Sequence, residues 1–93
     1  MVDRVKTKDG KPILKYDGRY LGSSISPETE AQRWIDRQDI RHAKTMSLIV
    51  LGAGSGYHIK LLSEKYPGSS IVVIDNSKQV IEAVKEMHGM DLT

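Results

Sequence analysis

The sequence predicts an α/β fold in which a small parallel sheet, wound through a helix, follows an antiparallel hairpin and a linking helix. Three observations predict it. The apolar run Ser47 to Leu51 passes into Gly52-Ala53-Gly54-Ser55-Gly56, a helix-length segment, and a second apolar run, Ser70 to Ile74, closed by Asp75; that order is a βαβ unit. Asp17-Gly18 joins two apolar-bearing runs, a hairpin signal because both loop positions must tolerate positive φ. Between these parts, Ser26-Pro27-Glu28 opens a stretch with apolar residues at helical spacing.

Size and composition narrow the function classes. A chain of 93 residues has room for one domain and buries only about two thirds of its unfolded surface. With 39% hydrophobic and 28% charged residues it falls in the globular class. It contains no cysteine, which removes disulfides, thiolate catalysis and cysteine-ligated metal centres. No apolar run approaches the roughly 18 residues of a membrane span, and the start lacks the apolar core of a signal peptide, so a cytoplasmic protein without membrane contact is expected. The net charge is +2, with the basic excess at Arg4, Lys6, Lys8, Lys11, Lys15 and Arg19. Interleaved Asp3, Asp9 and Asp17, with no stacking aromatics, suit a solvated hairpin rather than a nucleic-acid surface.

Taken in order, residues 1 to 10 alternate too poorly to predict an element, although Lys8-Asp9-Gly10-Lys11 is turn chemistry. Pro12 to Tyr16 and Arg19 to Gly22 form the hairpin arms, and Ser23 to Ser26 link them onward. Ser26 caps a helix whose first turn holds Pro27, where a missing N–H costs nothing, and Glu28 and Glu30, where the positive end of the dipole favours carboxylates. Ala31, Trp34, Ile35 and Gln38 share its narrow face, and it is expected to reach about Arg41. Trp34 could stack on a base, but a lone tryptophan on an apolar stripe reads as core.

Ser47 to Leu51 shows no alternation, as expected of a parallel strand covered on both faces. Tyr57 to Tyr66 carries Ile59, Leu62 and Tyr66 at helical spacing and is stopped by Pro67-Gly68. Ser70 to Ile74 is rich in β-branched residues and reads as the second strand. A last helix runs from Asn76 or Ser77 to His88, with Val80, Ile81, Val84 and Met87 as its buried stripe and Gly89 as its stop. The chain thus divides into a hairpin segment (1–25), a linking helix (26–45) and a βαβα half (46–93).

The candidate site is Gly52, Ala53, Gly54, Ser55, Gly56, Asp75 and Asn76. In such a loop the first glycine turns the chain out of the strand, the second keeps the backbone bare for a ligand, and the third lets the helix start close against the sheet. A dinucleotide fingerprint would need glycine at 57, where Tyr57 stands. No Walker lysine follows the glycines, and Gly54-Ser55-Gly56 is out of frame for a nucleophile elbow. His42 and His88 lack metal-ligand spacing, so no metal is expected, and His58 reads as structural rather than as a general base. Phosphoryl transfer is not expected, and no catalytic residue can be assigned.

Leu51-Gly52-Ala53-Gly54-Ser55-Gly56 resembles the first motif of S-adenosylmethionine-dependent methyltransferases, which implies a partial Rossmann-like parallel sheet. In that family an acid about 20 residues past the glycines accepts hydrogen bonds from ribose hydroxyls; Asp75, followed by Asn76, matches it. Val50 departs from the pattern, standing where the family carries an acid.

A broader resemblance covers most of the chain. Lys6-Thr7-Lys8-Asp9-Gly10-Lys11-Pro12, Arg19-Tyr20-Leu21, Ser26-Pro27-Glu28-Thr29-Glu30-Ala31 and Gly52 through His58 look like the N-terminal region of the motility accessory factor family, bacterial proteins associated with glycosylation of flagellin by nonulosonic acids. Gly22-Ser23 and Ile25-Ser26 stand where that family often has histidine-serine and tyrosine-aspartate. The resemblance implies a nucleotide-binding or assembly module, not catalytic alone, with a nucleotide sugar or S-adenosylmethionine as cofactor; the alternative is a methyltransferase or a fragment of one. Either way the first parallel strand is left with an open edge, and two covers are expected: the hairpin, or a second copy in a homodimer.

Overall fold

The computed structural model describes residues 2–38 and 47–90. It is a mixed α/β fold with two separate sheets. Strands β1 (Val2–Lys6), β2 (Pro12–Tyr16) and β3 (Arg19–Tyr20) form an antiparallel sheet in that order. Helix α1 (Pro27–Asp36) follows, and then β4 (Ser47–Leu51), α2 (Tyr57–Lys65), β5 (Ser70–Ile74) and α3 (Lys78–His88). β4 and β5 pair in parallel, with Ser47 opposite Ser70 and Leu51 opposite Ile74.

Most of these boundaries follow local chemistry. Asp17 and Gly18 take φ of +50° and +82°, the paired positive values of a turn that matches the twist of its flanking strands. Ser26 and Ser77 each cap a helix by accepting a backbone N–H, from Thr29 and Val80, and Gly89 ends α3 in the left-handed conformation.

Two local expectations change. β1 carries no readable alternation because Val2 and Val5 lie three apart; it becomes a strand through pairing, with Val2 opposite Tyr16 and Val5 opposite Ile13. α1 stops at Asp36, short of Arg41. Its last carbonyls are taken early: Gln38 N–H donates to Ile35 O at 2.9 Å, and Gln38 Nε2 donates to Trp34 O at 3.0 Å, so the orphan acceptors are satisfied without another turn. Arg41 itself lies outside the described residues, as does His42.

The core is one apolar cluster that takes Leu14 from the hairpin, Ile35 from α1, Val50 and Val73 from the parallel pair, Ile59 and Leu62 from α2, and Val80 and Val84 from α3. Both helices of the βαβα segment therefore cover the same face of the β4–β5 pair. The other face is open: Ile49 is 67% exposed, Leu51 79%, Val72 38% and Ile74 53%. Coverage of this sheet on both faces, expected from the unbroken apolar runs, is thus overturned. Among the described residues the hairpin does not pair with β4 or β5. It leans on α3 instead, where Arg4 approaches Glu86 at 4.0 Å, so the expected hairpin cover of the β4 edge is absent there. Among the described residues no helix is long and apolar enough to cross a membrane.

Candidate functional site

The glycine loop leaves β4 and enters α2 without joining the helix. Gly56 occupies its last position at φ +83°, and a Cβ there would lie 2.5 Å from Val84 Cγ1 and 2.8 Å from His88 Cδ2. The close approach that this glycine permits is therefore to α3 rather than to the sheet. Gly54, at φ +52°, would present a Cβ to His58 Cε1 at 3.6 Å, an ordinary contact on the side where the loop borders a cleft.

The loop is held from several directions. Asp75 Oδ2 accepts the Ala53 N–H at 2.9 Å while Oδ1 accepts the Ser77 N–H at 2.8 Å, so one carboxylate ties the loop to the start of α3. Gly52 N–H donates to Ile74 O at 2.7 Å and extends the parallel ladder by one rung. Buried Ser55 is spliced into the hairpin. β3 ends at Tyr20, and the next antiparallel pair would be Leu14 with Leu21. Leu21 N–H does donate to Leu14 O at 2.8 Å, but the return bond passes through Ser55 Oγ, which accepts from Leu14 N–H at 2.9 Å and donates to Leu21 O. Tyr57 Oη adds a bond to Pro12 O at 2.5 Å.

Two histidines clasp the loop carbonyls. His58 Nε2–H donates to Gly52 O at 3.2 Å and His88 Nε2–H to Ser55 O at 2.7 Å. Their rings meet Trp34 and Tyr57 edge to face, with centroids 4.8 and 4.6 Å apart. Burial lowers the pKa of both below the ordinary 6.5, opposed in part by the loop carbonyls they bond, so both imidazoles are neutral near pH 7. Burial, reinforced by Glu28 and Asp9, raises the Tyr57 phenol and keeps it a donor.

A pH dependence follows from the histidines. Their folded pKa values lie below the unfolded 6.5, so the unfolded chain binds more protons and stability rises with pH through this range. The contribution is complete above the unfolded value and is lost as pH falls through the lowered folded values. Thermal melts are expected to show a midpoint that is flat above pH 6.5 and drops below it, with the drop reduced in a His58→Gln, His88→Gln double variant.

A cleft of about 390 Å³ opens between the loop and α1, walled by Gly54, Ser55, His58, Glu30, Trp34 and Arg37. Of the residues singled out from sequence, Gly54 and Ser55 border this cleft. Gly52, Ala53, Gly56, Asp75 and Asn76 lie outside its wall; Ala53 is fully buried, and Asp75 acts on the loop through backbone amides. Among the described residues the Gly54 and Ser55 N–H groups have no hydrogen-bond partner. Four wall residues carry no glycine-loop signal. Trp34 reads as core in the sequence and does pack against the core cluster, though only half-buried; Glu30 reads as a first-turn carboxylate, Arg37 as a charge turned toward water and His58 as structural. A signal was nonetheless present: positions 30, 34 and 37 are spaced four and three apart, which puts them on one helical face.

Comparison with protein-family models, curated proteins and solved structures finds no match to this chain.

Proposed function

We propose that the chain is a small nucleotide-binding module, not catalytic by itself, of the kind that opens a Rossmann-like domain. The base of the ligand would lie against Trp34 and His58, and its sugar-phosphate end would meet the Gly54 and Ser55 amides. The observation that carries this is the meeting of Gly54 and Ser55, whose N–H groups have no partner among the described residues, with an indole in the wall of one cleft of about 390 Å³, within the range of small-ligand sites. Arg37, in the same wall, supplies a cation for a phosphate. The resemblance to motility accessory factors makes a nucleotide sugar the ligand of first choice, in a cytoplasmic protein.

Glu30 favours a second ligand. Val50 is buried in the core and offers no acid to the ammonium of S-adenosylmethionine, but the Glu30 carboxylate borders the cleft, although its Oε1 also accepts the Ser23 N–H at 3.0 Å.

Trp34 is the single tryptophan, so its fluorescence reports occupancy directly. Titration with a CMP-linked sugar is expected to give saturable quenching, and Gly54→Val, which narrows the cleft and strains a left-handed position, to weaken it by about tenfold or more. Arg37→Gln should weaken the nucleotide sugar selectively, whereas Glu30→Gln should weaken S-adenosylhomocysteine if that ligand binds. A folded protein whose fluorescence answers to neither compound would remove the binding function.

A further inference from the structure

The open face of the parallel pair is a compact apolar tile. Ile49 stands opposite Val72 and Leu51 opposite Ile74, and these four residues project away from the core side, where Val50 and Val73 are buried. No charged residue occurs between Ser47 and Leu51 or between Ser70 and Ile74. The tile therefore has nothing to offer a nucleic acid, an anionic surface or a charged peptide, and everything to gain from another apolar face.

From this geometry we infer that the tile is a homodimer interface in which two copies pack their β4–β5 pairs face to face across a two-fold axis. An isologous contact needs a patch complementary to itself, and a 2 × 2 array of β-branched and leucine side chains meets that need by the interdigitation of stacked sheets about 10 Å apart. The area is sufficient. The four exposures amount to roughly 400 Å² of apolar surface per copy, within the roughly 300–600 Å² of the largest apolar patch on a typical soluble monomer, a patch that is often functional. Two copies would bury roughly 800 Å² of it, and at the roughly 65% apolar content of homodimer interfaces the whole contact comes to about 1,200 Å², the lower limit for a stable association. The dimer is accordingly modest in affinity. It uses the face of the sheet rather than its edge, and it is independent of any ligand in the Trp34 cleft.

Sedimentation velocity on the full chain from about 1 to 500 μM tests it, a range that spans the affinities of interfaces this small. The wild type is expected to shift from monomer to dimer within that range. Leu51→Lys places a charge at the most exposed tile position, where the fold does not depend on the side chain, and should weaken dimerisation at least tenfold; Val72→Thr keeps β-branching and should weaken it less. Ile25→Lys, at an exposed isoleucine outside the tile, should leave it unchanged. Circular dichroism establishes that each variant is folded. A wild type that stays monomeric at the highest concentration, as it would if the tile served a different protein, overturns the inference, and so does a dimer that Leu51→Lys and Val72→Thr do not weaken.

Discussion

Replacing Gly56 with alanine is expected to destabilise the protein by about 2–5 kcal/mol, the sum of two costs at one position. The φ of +83° forces an L side chain into the left-handed region, and the new methyl must displace Val84 Cγ1, 2.5 Å away, and His88 Cδ2, 2.8 Å away. Neither neighbour can yield easily. Val84 is fully buried, and His88 is tethered to Ser55 O. A domain of this length has only about 5–14 kcal/mol of stability in total, so the loss is a large fraction of it and should lower the thermal midpoint by roughly 10–30 °C. Urea titration followed by circular dichroism gives the free energy. Combining Gly56→Ala with Val84→Ala should cost less than the sum of the single changes, because the second removes part of the collision that the first creates. Additive costs would show that strain, not the approach of α3, dominates.

Ser55→Ala is expected to cost about 2–4 kcal/mol, because it strips the acceptor from one buried backbone group and the donor from another. Leu14 N–H loses Ser55 Oγ, and Leu21 O loses the hydroxyl proton. Both lie where β3 has already ended, with Ser55 standing in for the missing rung. The hairpin should therefore loosen from the glycine loop before the rest of the fold melts. Amide hydrogen exchange is expected to accelerate most at Leu14, against little change at Val50 and Val73 in the other sheet. Uniform acceleration would mean that the serine supports the fold globally rather than through this junction. Tyr57→Phe, which removes only the bond to Pro12 O at a half-buried position, should be milder.

The difference between these two residues illustrates what the sequence can convey about the site. Gly56 is legible as a glycine needed at a strand-to-helix turn, since left-handed backbone is a local requirement. Its closest neighbours are not, because Val84 and His88 lie 28 and 32 positions away and only the folding back of α3 brings them near. Ser55 reads in the sequence as part of the candidate binding loop, whereas its partnership with Leu14 and Leu21 spans 41 and 34 positions and carries no local signal. Asp75 was legible as the acid after the second strand; that its oxygens hold Ala53 and Ser77 N–H groups depends on the side-chain orientation that the parallel pairing imposes. Trp34 shows the converse. Its helical stripe is readable and does face the core, where Ala31 and Ile35 are buried; that Trp34, packed against this core, also borders a cleft depends on how closely α1 approaches the loop.

By itself the sequence determined the local elements of this protein: the Asp-Gly hairpin, the serine-capped helices, the two β-branched strands and the glycine bend between strand and helix. These follow from φ preferences, capping and side-chain periodicity, which act within a few residues. Only the tertiary structure decided that β1 pairs, that both βαβα helices cover one face of the parallel pair, and that Ile49, Leu51, Val72 and Ile74 are left toward solvent. The physical reason is that an apolar run states how much surface a strand would gain by burial, whereas the packing of α2, α3 and the hairpin determines which of its two faces is covered.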